Sequence, residues 1–340
     1  ILCYPLLVLK MMFFGKKRQE LILSERSLNE PGMLGMLLAA ATLLLTGLPL
    51  VVVGTTLVLA LYKVIPMSLA AWAADPVVFQ YTFFLFAHNL MEAMALMVAS
   101  AMYATLPLYL ADGSRKLYSE KLANLALWIL LVTSVTSGLH HFITFYPNQP
   151  AALSYWGNIM SWGTGMGAAI SIFTILATIW QHGLKPEPGI IAVLVGWALY
   201  ILDGASAVVT SNIAWTYQLH GTMWQSGHFM TVILAMSMMW MGVLYHHYPV
   251  LTGRRLDPAL GNRYIKIMTV GSFGAAITML AGGAAGMPRR FADWHPEGWM
   301  LYGNLILAFG LIIGASFAVY FYNMMKSREI SAPMGELARA

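Results

Sequence analysis

Eight long apolar runs, nearly free of charge, succeed one another between residue 32 and residue 325. A bilayer's hydrocarbon core takes about 20 apolar residues to cross as a helix, and no water is there to satisfy an irregular backbone. Each run therefore reads as a transmembrane helix. They lie at roughly 32–60, 78–108, 123–146, 157–181, 189–213, 222–248, 265–286 and 299–325. Only 10% of the residues are charged and 59% are hydrophobic, against roughly 25% charged in soluble domains. The expected fold is an all-α polytopic membrane protein, with one membrane domain over 1–330 and a short cytoplasmic tail over 331–340. A shorter apolar stretch, Ile1 to Phe14, precedes the eight without a charged leader or a small-residue cleavage site. It reads as the last part of a span whose beginning is missing, processed away or carried by another chain.

Charge sets the expected orientation. Lys16, Lys17, Arg18, Arg115, Lys116, Lys185, Arg254, Arg255, Arg263 and the tail's Arg339 fall on alternate connections. The opposite side holds only Lys63, Arg289 and Arg290. By the positive-inside rule the first set and the C-terminus are cytoplasmic. The net charge of +5 follows from that distribution and is no sign of nucleic-acid binding. Cys3 is the single cysteine, which excludes an internal disulfide framework and any cysteine-based zinc or iron–sulfur site within this chain.

Ionisable groups inside a membrane are costly and mark functional sites by default. His140 and His141 sit in a stretch with no charged residue from Leu122 to Tyr155, and Glu92 and Asp203 are the acids well inside spans. His88 and Glu92 are four apart, so one helix face presents both. An imidazole with a carboxylate suits iron, manganese or zinc, and imidazoles alone suit copper equally well. The plainer reading is a His–Glu hydrogen bond lining a polar cavity. Adjacent histidines on a helix point about 100° apart, so His140 and His141 share an ion only if it lies in the angle between them; otherwise they are packing residues bonded to carbonyls. His228 and Met230 point to nearly opposite sides of their helix, and both residue types ligate haem iron. Methionine is also the usual filler of irregular apolar space. His246-His247 fall at the wet end of their span, His182 in a connection and His295 beside Trp294 in an outer loop, where histidine needs no metal.

Taken in order, the helices bearing His88, His140-His141 and Gly227-His228 resemble those of the catalytic subunit of the haem–copper oxidase superfamily. Gly286-Met287-Pro288-Arg289-Arg290 resembles the loop whose arginines pair with haem propionates, and Pro249-Val250-Leu251-Thr252-Gly253-Arg254 the cytoplasmic exit of the haem-ligand helix. The resemblance runs from about residue 1 to 330, without the family's first spans. It implies a subunit I-like bundle of one partial and about eight full spans. It also implies a haem, b-type, on His228, a non-haem metal on His88, His140 and His141, and haem propionates met by His220, Arg289 and Arg290. Glu92 stands where many oxygen-reducing members carry a tyrosine. His-x-x-x-Glu, with His220-Gly221-Thr222, is similar to nitric oxide reductases, in which a glutamate joins three histidines around a non-haem iron. That implies reduction of NO to N2O at a haem/non-haem iron binuclear centre, with Glu92 a ligand of the iron and a proton relay.

The family's second histidine, two residues after the haem ligand, is Met230 here. A second, low-spin haem would then be Met-ligated or absent. The implied partners are lipid, a gaseous substrate (NO or O2), an electron donor (cytochrome c or quinol) and a chain supplying the first helices. Two other readings stay open at this level: an oxygen reductase with copper in the three-histidine site and Tyr146 as a displaced redox tyrosine, and a non-catalytic paralogue scaffolding a respiratory complex. Asp203 fits a proton path or a structural hydrogen bond.

Overall fold

A computed structural model describes residues 6, 10, 30–143, 150–290 and 297–330. Among them, eight helices are long and apolar enough to cross a membrane, one for each expected run. The long helices are α1 (Pro31–Leu61), α3 (Pro76–Thr105), α4 (Glu120–Ser137), α5 (Ala151–His182), α6 (Pro188–Ser211), α8 (Met223–Thr252), α9 (Pro258–Ala284) and α10 (Glu297–Met325). Two short helices, α2 (Met67–Ala74) and α7 (Ile213–Leu219), lie between them and were not expected. The partial span at 1–14 falls outside the described residues apart from Leu6 and Lys10, as do Tyr146, His295 and the tail.

Helix starts follow local chemistry. Pro31, Pro188 and Pro258 occupy first-turn positions, where a missing N–H costs nothing. Ser119, Asn212, Thr222 and Asp257 cap their helices by accepting backbone N–H groups. Gly253, at φ 68°, closes α8 in the left-handed conformation that glycine adopts freely. The expected third span, 123–146, differs: the α-helix stops at Ser137 and continues as a 3-10 turn, Gly138–Phe142.

The described chain forms two compact units, 1–100 with 117–177 and 101–116 with 178–340. In the first, α1 packs on α4. Gly35 lets α1 approach α3 as well, since a Cβ there would stand 2.9 Å from Ser100 Cβ and 3.1 Å from the Leu96 carbonyl, with Leu127 of α4 at 3.3 Å. The Ser100 hydroxyl donates to the Gly32 carbonyl. Against the other side of α4 lies α5, through Gly163 and Gly167, the small-xxx-small spacing that lets membrane helices approach closely.

In the second unit α8 packs between α6 and α9, and α10 against α9. Leu199, Ala235, Met238, Tyr264, Met268 and Tyr320 form its buried core. Where α8 ends, Arg254 and Arg255 pair antiparallel with Glu329 and Arg328. Arg254 Nε also donates to Ser327 Oγ at 2.8 Å, so the exits of α8 and α10 are tied together.

Candidate metal centre

His88 projects from the middle of α3, and the 3-10 turn after α4 brings His140 and His141 to it. Ring centroids are 5.0 Å apart for His88–His140, 5.3 Å for His88–His141 and 4.3 Å for His140–His141. One ring nitrogen from each lies within 4.8 Å of the others. Metal–imidazole bonds of about 2.0–2.1 Å hold ligand atoms at most about 4 Å apart, so small ring rotations close this set around one ion. The structure thus brings the three histidines together. It does so without the expected α-helix: the tighter 3-10 winding sets how the adjacent rings diverge.

Neighbouring residues support the site. Ser161 Oγ donates to the Gly157 carbonyl at 2.7 Å and stands 2.9 Å from His140 Nδ1. With its proton spent, the hydroxyl accepts from Nδ1–H, which leaves Nε2 of His140 with the lone pair for a metal. Gly157 lets α5 come this near, because a Cβ there would be 2.5 Å from His140 N. Buried Asn89, next to His88, donates from Nδ2 to Leu85 O at 2.7 Å and to Val135 O at 3.1 Å, pinning α3 to α4 beside the site. Phe84 stacks on His141 with centroids 5.0 Å apart and supplies an apolar wall.

Glu92 is largely buried one turn beyond His88, with Oε1 4.0 Å from His88 Nε2. That is contact without a direct hydrogen bond, and the group of converging ligand atoms contains the three histidines and not Glu92.

In the second unit His228 sits on α8 facing α6. Its Nδ1 is 2.7 Å from Asp203 Oδ1 and 3.3 Å from Ser206 Oγ. With Nδ1 engaged, Nε2 is the atom left to ligate a haem iron, so the residues fit that group. Ser206 escaped the sequence reading, although its place one turn after Asp203 was a usable signal. Met230 is half-buried, two residues further and about 200° round the helix.

The turn bearing His220 and the 286–290 loop meet. Thr222 bridges Pro288, Arg289 N donates to Gly221 O at 2.9 Å, and Met223 N to Met287 O at 2.7 Å. Burial first, then the Arg289 charge, push His220 down to about 4, which favours the neutral imidazole. Arg289 is itself disfavoured by burial and by Arg290, and among the described residues neither arginine forms an ion pair with an acid. Two adjacent guanidiniums without a counter-charge fit carboxylates such as propionates. Away from these sites, His246 Nδ1 meets Tyr109 Oη at 2.6 Å and His182 Nδ1 meets Asp112 at 2.6 Å, which accounts for both without a metal.

A sequence profile of cytochrome c and quinol oxidase polypeptide I matches residues 9–313. The chain is 24% identical over 254 residues to cytochrome c oxidase polypeptide 1 of Halobacterium salinarum, covering 74% of this chain and 42% of that protein. It is 25% identical over 291 residues to cytochrome c oxidase subunit 1 of Thermus thermophilus, covering 77% and 50%. Over 222 residues it is 24% identical to quinol oxidase subunit 1 of Bacillus spizizenii, covering 62% and 34%. It spans half or less of the length of these relatives. A heme-copper terminal oxidase dimer solved by cryo-electron microscopy shares the fold, with a TM-score of 0.75 at 19% identity over 89% of this chain and 57% of that one.

Proposed function

The chain belongs to the cytochrome c and quinol oxidase polypeptide I family, within the haem–copper oxidase superfamily, and on that premise we propose that it is a nitric-oxide-reductase-like respiratory oxidoreductase. The reaction takes two NO, two electrons and two protons to N2O and water. The observation that carries this reading is Glu92, one helical turn from His88 beside the three-histidine cluster. A hard anionic ligand favours iron over copper, and side-chain torsion alone carries the carboxylate from its 4.0 Å contact toward an ion.

When bound, the haem and the non-haem iron supply electrons and the positive charge that lets two NO nitrogens be held close. The chain's residues do the rest. His88, His140 and His141 hold the non-haem ion, and Ser161 keeps His140 in the ligating tautomer. Glu92 joins them and delivers protons. His228 holds the haem, b-type, while Arg289 and Arg290 neutralise its propionates and His220 donates to them. Residues 1–330 act as one catalytic region, with electrons arriving from cytochrome c or quinol through a further subunit. Met230 would ligate a second, low-spin haem. The basic loops and the C-terminus face the cytoplasm of a prokaryotic cell.

Oxygen reduction with copper in the three-histidine site is the second reading. It is favoured by the relatives' names, all oxidases, and by the converging set being three histidines. Iron and copper per haem in the purified protein decide between them. About one iron beyond haem, with no copper, supports the reductase, and N2O production follows from it. One copper per active-site haem overturns that reading in favour of oxygen. Neither metal nor haem in a folded sample would make this a scaffolding paralogue.

A further inference from the structure

Asp203 is 4% exposed in the middle of a transmembrane helix, where a carboxylate is expensive unless it is paired. Its Oδ1 is buried and makes no well-angled hydrogen bond, yet it stands 2.7 Å from His228 Nδ1. A small rotation of the imidazole turns that contact into a linear, charge-assisted hydrogen bond. Ser206, whose hydroxyl donates to the Asp203 carbonyl at 2.7 Å, closes the same nitrogen from the other side at 3.3 Å. About two and four turns before Asp203, glycines bring α6 and α8 close: a Cβ at Gly196 would lie 2.7 Å from Ala235 O, and one at Gly242 2.6 Å from Gly189 O. The two backbones are thereby locked, and the acid's distance from the imidazole is set by main-chain packing rather than by a flexible side chain.

We propose that Asp203 is a positioning residue that acts through His228 on the haem iron, giving the imidazole partial imidazolate character and holding the haem at a lower reduction potential. The proposal rests on the reading of His228 as the axial ligand. A carboxylate on Nδ1–H draws the proton toward itself and raises electron density at Nε2, as an acid behind a ligating histidine raises its basicity. A stronger donor favours ferric over ferrous iron and stiffens the iron–histidine bond. Negative charge this close in a dry site adds to the same preference. Asparagine keeps the size and loses the charge; glutamate keeps the charge.

The test is made on the full chain purified from membranes with haem. The readouts are haem content, the iron–histidine stretching frequency of the ferrous high-spin haem by resonance Raman, and the potential by redox titration. His228→Ala is expected to lose the haem; if it retains it, the ligand reading fails, and the proposal with it. Asp203→Asn is expected to keep the haem, lower the stretching frequency and raise the ferrous-to-ferric ratio at fixed potential about tenfold, ~59 mV for one electron. Asp203→Glu should return both signals toward wild type. Haem retained in Asp203→Asn with frequency and potential unchanged overturns the proposal while leaving the ligand reading intact. Should Asp203→Asn lose haem, recovery of haem and wild-type signals in Asp203→Glu supports it, and failure of the glutamate variant in a folded protein overturns it.

Discussion

At the scale of single residues, the candidate metal site depends on groups that carry no metal themselves. Ser161 spends its proton on the Gly157 carbonyl and so can only accept from His140 Nδ1. Removing it frees the imidazole to turn or to take the other tautomer. Loss of a group that orients a metal-ligating histidine typically costs about 10–100-fold in metal affinity. Ser161→Ala should therefore weaken metal binding by that order in a competitive chelator titration, while Ser161→Thr keeps it. Unchanged affinity in the alanine variant would mean that His140 is held by its backbone alone. The residue types were legible in advance: His88, His140, His141 and His228 announce themselves because imidazole is costly in lipid. Their partners Ser161, Ser206 and Asn89 did not, since small polar residues occur throughout membrane helices and only contact gives them a role.

The element that decides the site is the turn Gly138–Phe142. The expected α-helix through this segment would have placed the adjacent rings about 100° apart; the 3-10 winding changes that angle where His140 and His141 must meet His88. Two glycines make room for it. A Cβ on Gly138 would press 3.1 Å from the Cβ and Cγ of His88, and one on Gly157 would stand 2.5 Å from His140 N, on backbone that cannot step aside. Gly157→Ala should lower the melting temperature in detergent, with overpacking of about 1–3 kcal/mol, and reduce bound metal. Gly54→Ala on α1, where a Cβ meets nothing within 4 Å, should be neutral or stabilising, as Gly-to-Ala in a helix gains up to about 1 kcal/mol. Equal behaviour of the two variants would remove Gly157 from the site's support. Residue spacing cannot reveal such a requirement, because a glycine's value here lies in what stands opposite it.

For the whole molecule, the alternation of basic connections with nearly uncharged ones predicts which side each loop occupies. Lys185 and Lys63 are both exposed and are expected on opposite faces of the membrane. In a Cys3→Ser background, a membrane-impermeant maleimide applied to intact cells should label Lys63→Cys and spare Lys185→Cys; the reverse pattern would invert the orientation. The sequence alone determined the eight spans and their order and singled out the candidate ligands, because bilayer thickness and the cost of buried charge act on each segment independently of its neighbours. Tertiary structure decided what those ligands meet. Asp203 turned out to face His228, the 286–290 loop proved to be stitched to the turn bearing His220, and Glu92 stands one contact away from the three histidines rather than among them. The physical reason is that such distances depend on how closely backbones approach, and that is set by packing between segments far apart in the chain.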